Sequence, residues 1–116
     1  VMRTRVITVP RNQAAEKKLD FDEAEPSELI EWTVSEEEYS LIEKYGLFDV
    51  INETADVIID DFESELVRGI PTLTKVLNVL KEKRKRKKYQ NLEVLHSLIK
   101  LFEEAIARAT GVYFFF

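Results

Sequence analysis

The chain contains no cysteine, which excludes disulfides, thiolate nucleophiles and sulfur-ligated metals. It has one histidine, His96, so any imidazole chemistry must pass through a single side chain. With 3 glycines and 3 prolines in 116 residues it is not low-complexity, and no repeat with a period of about 20–50 residues recurs along it. Long apolar runs are absent too. The first one stops at Pro10, too short for a signal core or a membrane span, so no membrane association is expected. The lack of cysteine fits a reducing compartment, and the cytoplasm is the expected location.

What the chain has in quantity is charge, divided by position. Residues 1–70 carry 7 Lys+Arg against 18 Asp+Glu, net 7 − 18 = −11, whereas residues 71–116 carry 10 against 4, net 10 − 4 = +6. Two oppositely charged halves on one short chain attract each other or attract partners. The length and the 45% hydrophobic content predict one domain, 1–116, able to bury an ordinary core, with an acidic loop at 11–28 around Pro26.

Hydrophobic spacing predicts an α+β fold. Strands are expected near 3–9, where β-branched residues cluster, at 29–34, where Ile30, Trp32 and Val34 alternate, and at 112–116, whose wholly apolar residues point to burial on both faces of a sheet interior. The first and last strands are expected to be neighbours. Ser35 followed by Glu38 forms a capping box that opens a helix over 36–45, closed by Gly46 in a left-handed turn. Further helices are predicted over 72–88 and 91–110, capped by Asn91 and Gly111. The stretch 47–68 is ambiguous. Val57, Ile58 and Ile59 suit a strand, but Leu47, Ile51, Ala55, Ile58, Phe62 and Leu66 recur at helical spacing, which favours a single helix ended by Gly69 and Pro71.

If that helix forms, Asp49, Glu53, Asp56, Asp60 and Glu63 share one stripe. Like charges at those spacings cost a few tenths of a kcal/mol per pair, about 1–2 kcal/mol in all. Ordinary solvation or the chain's own cations could offset that cost, and so could a basic protein partner. The run Lys83, Arg84, Lys85, Arg86, Lys87 and Lys88, within the cationic tract 81–88, is the complementary feature and could contact phosphates. Only Tyr89 stands beside it, so stacking on bases is not supported. The spacing Glu93-x-x-His96 matches half of a di-iron motif, but a second histidine is missing; Asp60-Asp61-x-Glu63 lacks the glycine and alternation of a calcium loop; no nucleophile elbow occurs. No catalytic residue, cofactor or metal is therefore expected.

Several segments together resemble the small acidic immunity-like proteins that bacteria encode beside polymorphic or contact-dependent toxins. They are the strand 29–34 entering Ser35-Glu-Glu-Glu-Tyr39, the turn Gly46-Leu-Phe-Asp-Val-Ile-Asn52, Ile59-Asp-Asp-Phe-Glu63 and the C-terminal Thr110-Gly-Val-Tyr-Phe-Phe-Phe116. The resemblance implies a non-enzymatic protein that covers a basic effector with carboxylates in place of nucleic-acid phosphates; the basic tract departs from that pattern. The leading expectation is thus a basic protein partner bound through Asp49, Glu53, Asp56, Asp60 and Glu63. The alternative is a nucleic-acid-associated accessory protein using Lys83 to Lys88. A homodimer pairing opposite faces is a further arrangement the charge layout allows.

Overall fold

The β-branched run near the start of the chain forms β1 (Arg5–Pro10), which lies in the interior of a four-stranded sheet with the order β2-β1-β4-β3. The computed structural model describes residues 4–60 and 64–116. Along the chain, β1 is followed by α1 (Gln13–Asp20), β2 (Leu29–Val34), α2 (Glu36–Lys44), α3 (Leu47–Ala55), β3 (Glu65–Arg68), α4 (Ile70–Arg84), α5 (Glu93–Arg108) and β4 (Gly111–Phe115). Short 3-10 turns at Pro26–Glu28 and Lys87–Tyr89 complete the described elements. The fold is α+β, as the spacing predicts. All three strand pairings are antiparallel, and β1 and β4 are neighbours, with Ile7 opposite Phe114.

One face of the sheet carries Ile7, Val9, Val34, Val67, Val112 and Phe114, all buried. Against it lies the wide apolar face of α5, including Leu95, Leu98, Ile99 and Phe102. Burying each such large side chain contributes about 1.5–3 kcal/mol, so this layer holds the fold together. The capping box forms as expected: Ser35 Oγ accepts from the Glu38 amide at 3.1 Å, and Glu38 Oε1 accepts from the Ser35 amide at 2.9 Å. Gly46, at φ +66°, turns the chain from α2 into α3.

Five expectations need correction. The stretch 11–28 is not simply a loop, because α1 occupies its first half, with the Asn12 side chain accepting from the Ala15 amide at 2.8 Å. This helix lies over the second face of the sheet and supplies the cover that the apolar β4 requires. There the single Tyr113 Oη proton is shared between Glu16 Oε2 at 3.2 Å and Asp20 Oδ1 at 3.1 Å, and the oxygen accepts from Arg68 Nη2 at 2.8 Å. At the end of α5 the left-handed residue is Ala109, at φ +55°, and Gly111 already belongs to β4. Its start is capped by Leu92 rather than Asn91, with the Leu95 and His96 amides bonding the Leu92 carbonyl.

The remaining two corrections bear on function. The predicted helix 72–88 stops at Arg84, and the helix predicted over 47–68 stops at Ala55. Asp56 adopts the left-handed conformation at φ +55° and ends α3. Asn52 then holds the returning chain, its Oδ1 accepting from the Ile59 amide at 2.7 Å and its Nδ2 donating to the Ile59 carbonyl at 3.4 Å. A side-chain amide thereby acts as a strand neighbour, and the β-branched run 57–59 takes the non-helical course that its residue types favour. Ile59 is buried, whereas Ile58, which a continuous helix would have buried, is 69% exposed. Among the described residues, no helix is long and apolar enough to cross a membrane.

Candidate functional site

The break after Ala55 divides the predicted acidic stripe. Asp49 and Glu53 lie one turn apart on the exposed side of α3, about 6 Å along its axis. Asp56 is the exposed left-handed cap, Asp60 is half-buried beyond the Asn52 clamp, and Glu63 lies outside the described residues. The turn back nevertheless brings Asp60 to Asp49. Both line a pocket of about 280 Å³ together with Glu43, which the spacing argument missed because it lies on the preceding helix. Tyr39, Phe48 and Ile59 form the apolar part of the same pocket.

Each wall of this pocket has a local cause. Tyr39 and Phe48 pack with ring centroids 5.6 Å apart, and both meet Phe116, at 5.7 and 5.4 Å. The aromatic C-terminus of the chain thus supports the pocket from below. Arg5 strengthens that corner: its guanidinium carbon stands 3.9 Å from the Tyr39 ring centroid and its Nη1 donates to Glu36 Oε1 at 2.6 Å. Glu43 sits in the last turn of α2, at the negative end of the helix dipole, which adds to its own charge; Asp49 sits in the first turn of α3, where the dipole offsets it.

Among the described residues, Glu43, Asp49, Glu53 and Asp56 enter no ion pair with the chain's own cations. Four cations of the basic tract make contacts elsewhere. Lys81 Nζ lies 3.5 Å from Glu103 Oε2 and Lys85 Nζ 3.0 Å from Glu82 Oε1. Lys83 Nζ and Lys88 Nζ each stand 5.5 Å from the centroid of Tyr89, which meets Tyr45 edge-on at 5.6 Å. The tract is therefore bent over two tyrosines, and α4 ends inside it, so Lys83 and Arg84 are helical, Lys85 is the cap, and Arg86 to Lys88 run into the 3-10 turn. Tyr45 is the aromatic partner that sequence distance concealed.

The remaining chemistry in the sequence has structural uses. His96 Nε2 lies 3.1 Å from the Gln90 carbonyl, tying α5 to the turn before it. Among the described residues, no group of three or more histidine, aspartate or glutamate side chains could hold a metal ion. Burial, together with the neighbouring carboxylates of Glu16 and Asp20, raises the pKa of the Tyr113 phenol above its ordinary value, although the Arg68 hydrogen bond pulls the other way.

No protein-family model matches the chain, and no curated protein matches it in sequence. Among solved structures, the chain is similar to the Neisseria DNA mimic protein DMP12. The match has a TM-score of 0.65 and 15% identity, and covers 98% of this chain and 100% of that one. At that identity the likeness is one of fold.

Proposed function

We propose that this chain is a non-enzymatic interaction protein whose acidic pocket binds a basic, nucleic-acid-binding protein, occupying the surface that nucleic acid would otherwise take. The observation that carries the reading is the grouping of Glu43, Asp49 and Asp60 over Tyr39 and Phe48, with Glu53 one turn away. Carboxylates above aromatic rings suit a lysine or arginine side chain, which gains charge-assisted hydrogen bonds and contact with a ring. The exposed Ile58, next in sequence to the pocket-lining Ile59, offers an apolar contact beside the charges. The shared fold with a protein named a DNA mimic supports the same reading. An immunity-like role, in which a toxic effector is the basic partner, is the biological form we propose for it.

The alternative, nucleic-acid binding through Lys83 to Lys88, is less well supported. The cations do not form one helical face, and Lys85, in the middle of the run, pairs with Glu82. The two readings separate in one experiment. Duplex DNA bound to a panel of basic DNA-binding proteins is titrated with this chain, and the chain alone is titrated with the same DNA. Stoichiometric release of DNA, weakening as salt rises and lost in the triple variant Glu43→Lys, Asp49→Lys and Glu53→Lys, is the expected result. Direct retardation of DNA by the chain, or displacement unchanged in the triple variant, would overturn it.

A further inference from the structure

A second site lies on a different part of the molecule, between the edge strand β2 and α5. It is a groove of about 380 Å³, within the usual range for small-ligand sites of about 300–1,000 Å³. Ile30 and Trp32 of β2 and Leu101 of α5 supply its apolar lining, Arg11, Lys100 and Arg108 supply three cations, and Glu104 supplies one carboxylate. Arg108 is partly neutralised, its Nε donating to Glu104 Oε2 at 2.8 Å. Its Nη1 donates to the Arg11 carbonyl at 3.1 Å, which ties α5 to the chain after β1 at the end where Pro10 pairs with Leu29. That contact keeps the groove's cationic end in place without using the Arg11 or Lys100 side chains. Among the described residues, neither of those two forms an ion pair.

The combination is unusual for this chain, whose net charge is −5. Two uncompensated cations flank an apolar lining that contains its only tryptophan. From this geometry we infer that the groove binds a small aromatic anion, its ring against Trp32 and Leu101 and its carboxylate, sulfonate or phosphate between Arg11 and Lys100. The apolar body alone would gain only surface burial, and the anionic group alone only solvent-screened attraction. Together they satisfy both halves of the lining. The site is independent of the acidic pocket: it uses different elements and the opposite charge.

Trp32 makes the test direct, because all tryptophan emission comes from this groove. The probes are 2-naphthalenesulfonate, the neutral 2-naphthalenemethanol and inorganic phosphate, each titrated into the full chain, with amide shifts of Ser97 and Leu101 as a second readout. Saturable 1:1 binding of the sulfonate is expected, with the neutral analogue and phosphate each weaker by about tenfold or more, the loss that follows from one charge-assisted contact. The exposed double variant Arg11→Gln and Lys100→Gln should lose a similar factor while keeping its helical circular dichroism. Lys100→Glu alone should do the same with Arg11 in place. Absence of saturable binding below about 1 mM, equal affinity for charged and neutral probes, or full affinity in the charge variants would overturn the assignment.

Discussion

Asn52 and Ile59 are joined twice, through the Ile59 amide at 2.7 Å and its carbonyl at 3.4 Å, so that one side chain satisfies both backbone groups of a residue seven positions away. With the left-handed Asp56 that ends α3, this clamp holds the turn back that brings Asp60 to the pocket Asp49 lines. Replacing Asn52 with alanine leaves the backbone groups of the buried Ile59 without those partners. A loss of about 1–3 kcal/mol in denaturant unfolding is expected, together with weaker binding of a basic partner. Aspartate at the same position keeps the acceptor but not the donor, and should recover part of the loss.

The Tyr113 network gives an alkaline signature. The folded state holds the Tyr113 proton more tightly than the unfolded chain, in which tyrosine titrates near pH 10. Its contribution to stability is therefore fully present below about pH 10 and is lost as the pH rises through the raised folded value. Glu16, Asp20 and Arg68 are the charged groups facing it. Tyr113→Phe should cost about 1–3 kcal/mol at neutral pH by stripping three hydrogen bonds, and should flatten the decline above pH 10; chemical unfolding at stepped pH measures both.

Gly111 is required by close approach. A β-carbon there would stand 2.9 Å from the Val67 carbonyl oxygen and 3.0 Å from Leu66 Cδ1, so β3 and β4 would have to separate. Gly111→Ala is expected to destabilise the protein by about 1–3 kcal/mol, read as a lowered urea midpoint at unchanged slope.

Ala109 presents the converse case. It holds a left-handed conformation, at φ +55°, that glycine adopts without steric cost. Ala109→Gly should stabilise the fold by about 0.5–1 kcal/mol, raising the thermal midpoint by a few degrees. An unchanged or lower midpoint would show that the methyl group contributes packing that outweighs the strain.

Much of the architecture was legible locally. The strand at 29–34, the capping box of Ser35 and Glu38, and the left-handed Gly46 all depend on interactions within a few residues, and all form. The apolar residues of β4 likewise announced a strand covered on both faces. What covered it was not legible, because the acidic run from Asp20 to Glu28 around Pro26 masks the short α1 before it, and the partners of Glu16 and Asp20, Arg68 and Tyr113, lie 48 to 97 residues away. The acidic pocket was legible only in part. Spacing marks Asp49 and Asp60, but as members of one helix, and gives no sign of Glu43, which comes from the preceding helix.

Composition and short-range spacing alone determined that this chain would be α+β, would lack sulfur chemistry and would carry an acidic first half and a basic tract, since those properties are local or additive. Tertiary structure decided which charges face one another. Apolar periodicity is nearly the same for a helix that continues and one that folds back, and here the chain folds back through a left-handed Asp56 and an asparagine reaching across seven residues. The meeting of Tyr45 with Tyr89 beside the basic tract, and that of Arg11 with α5, were decided by contacts between separated segments whose partners no local pattern specifies.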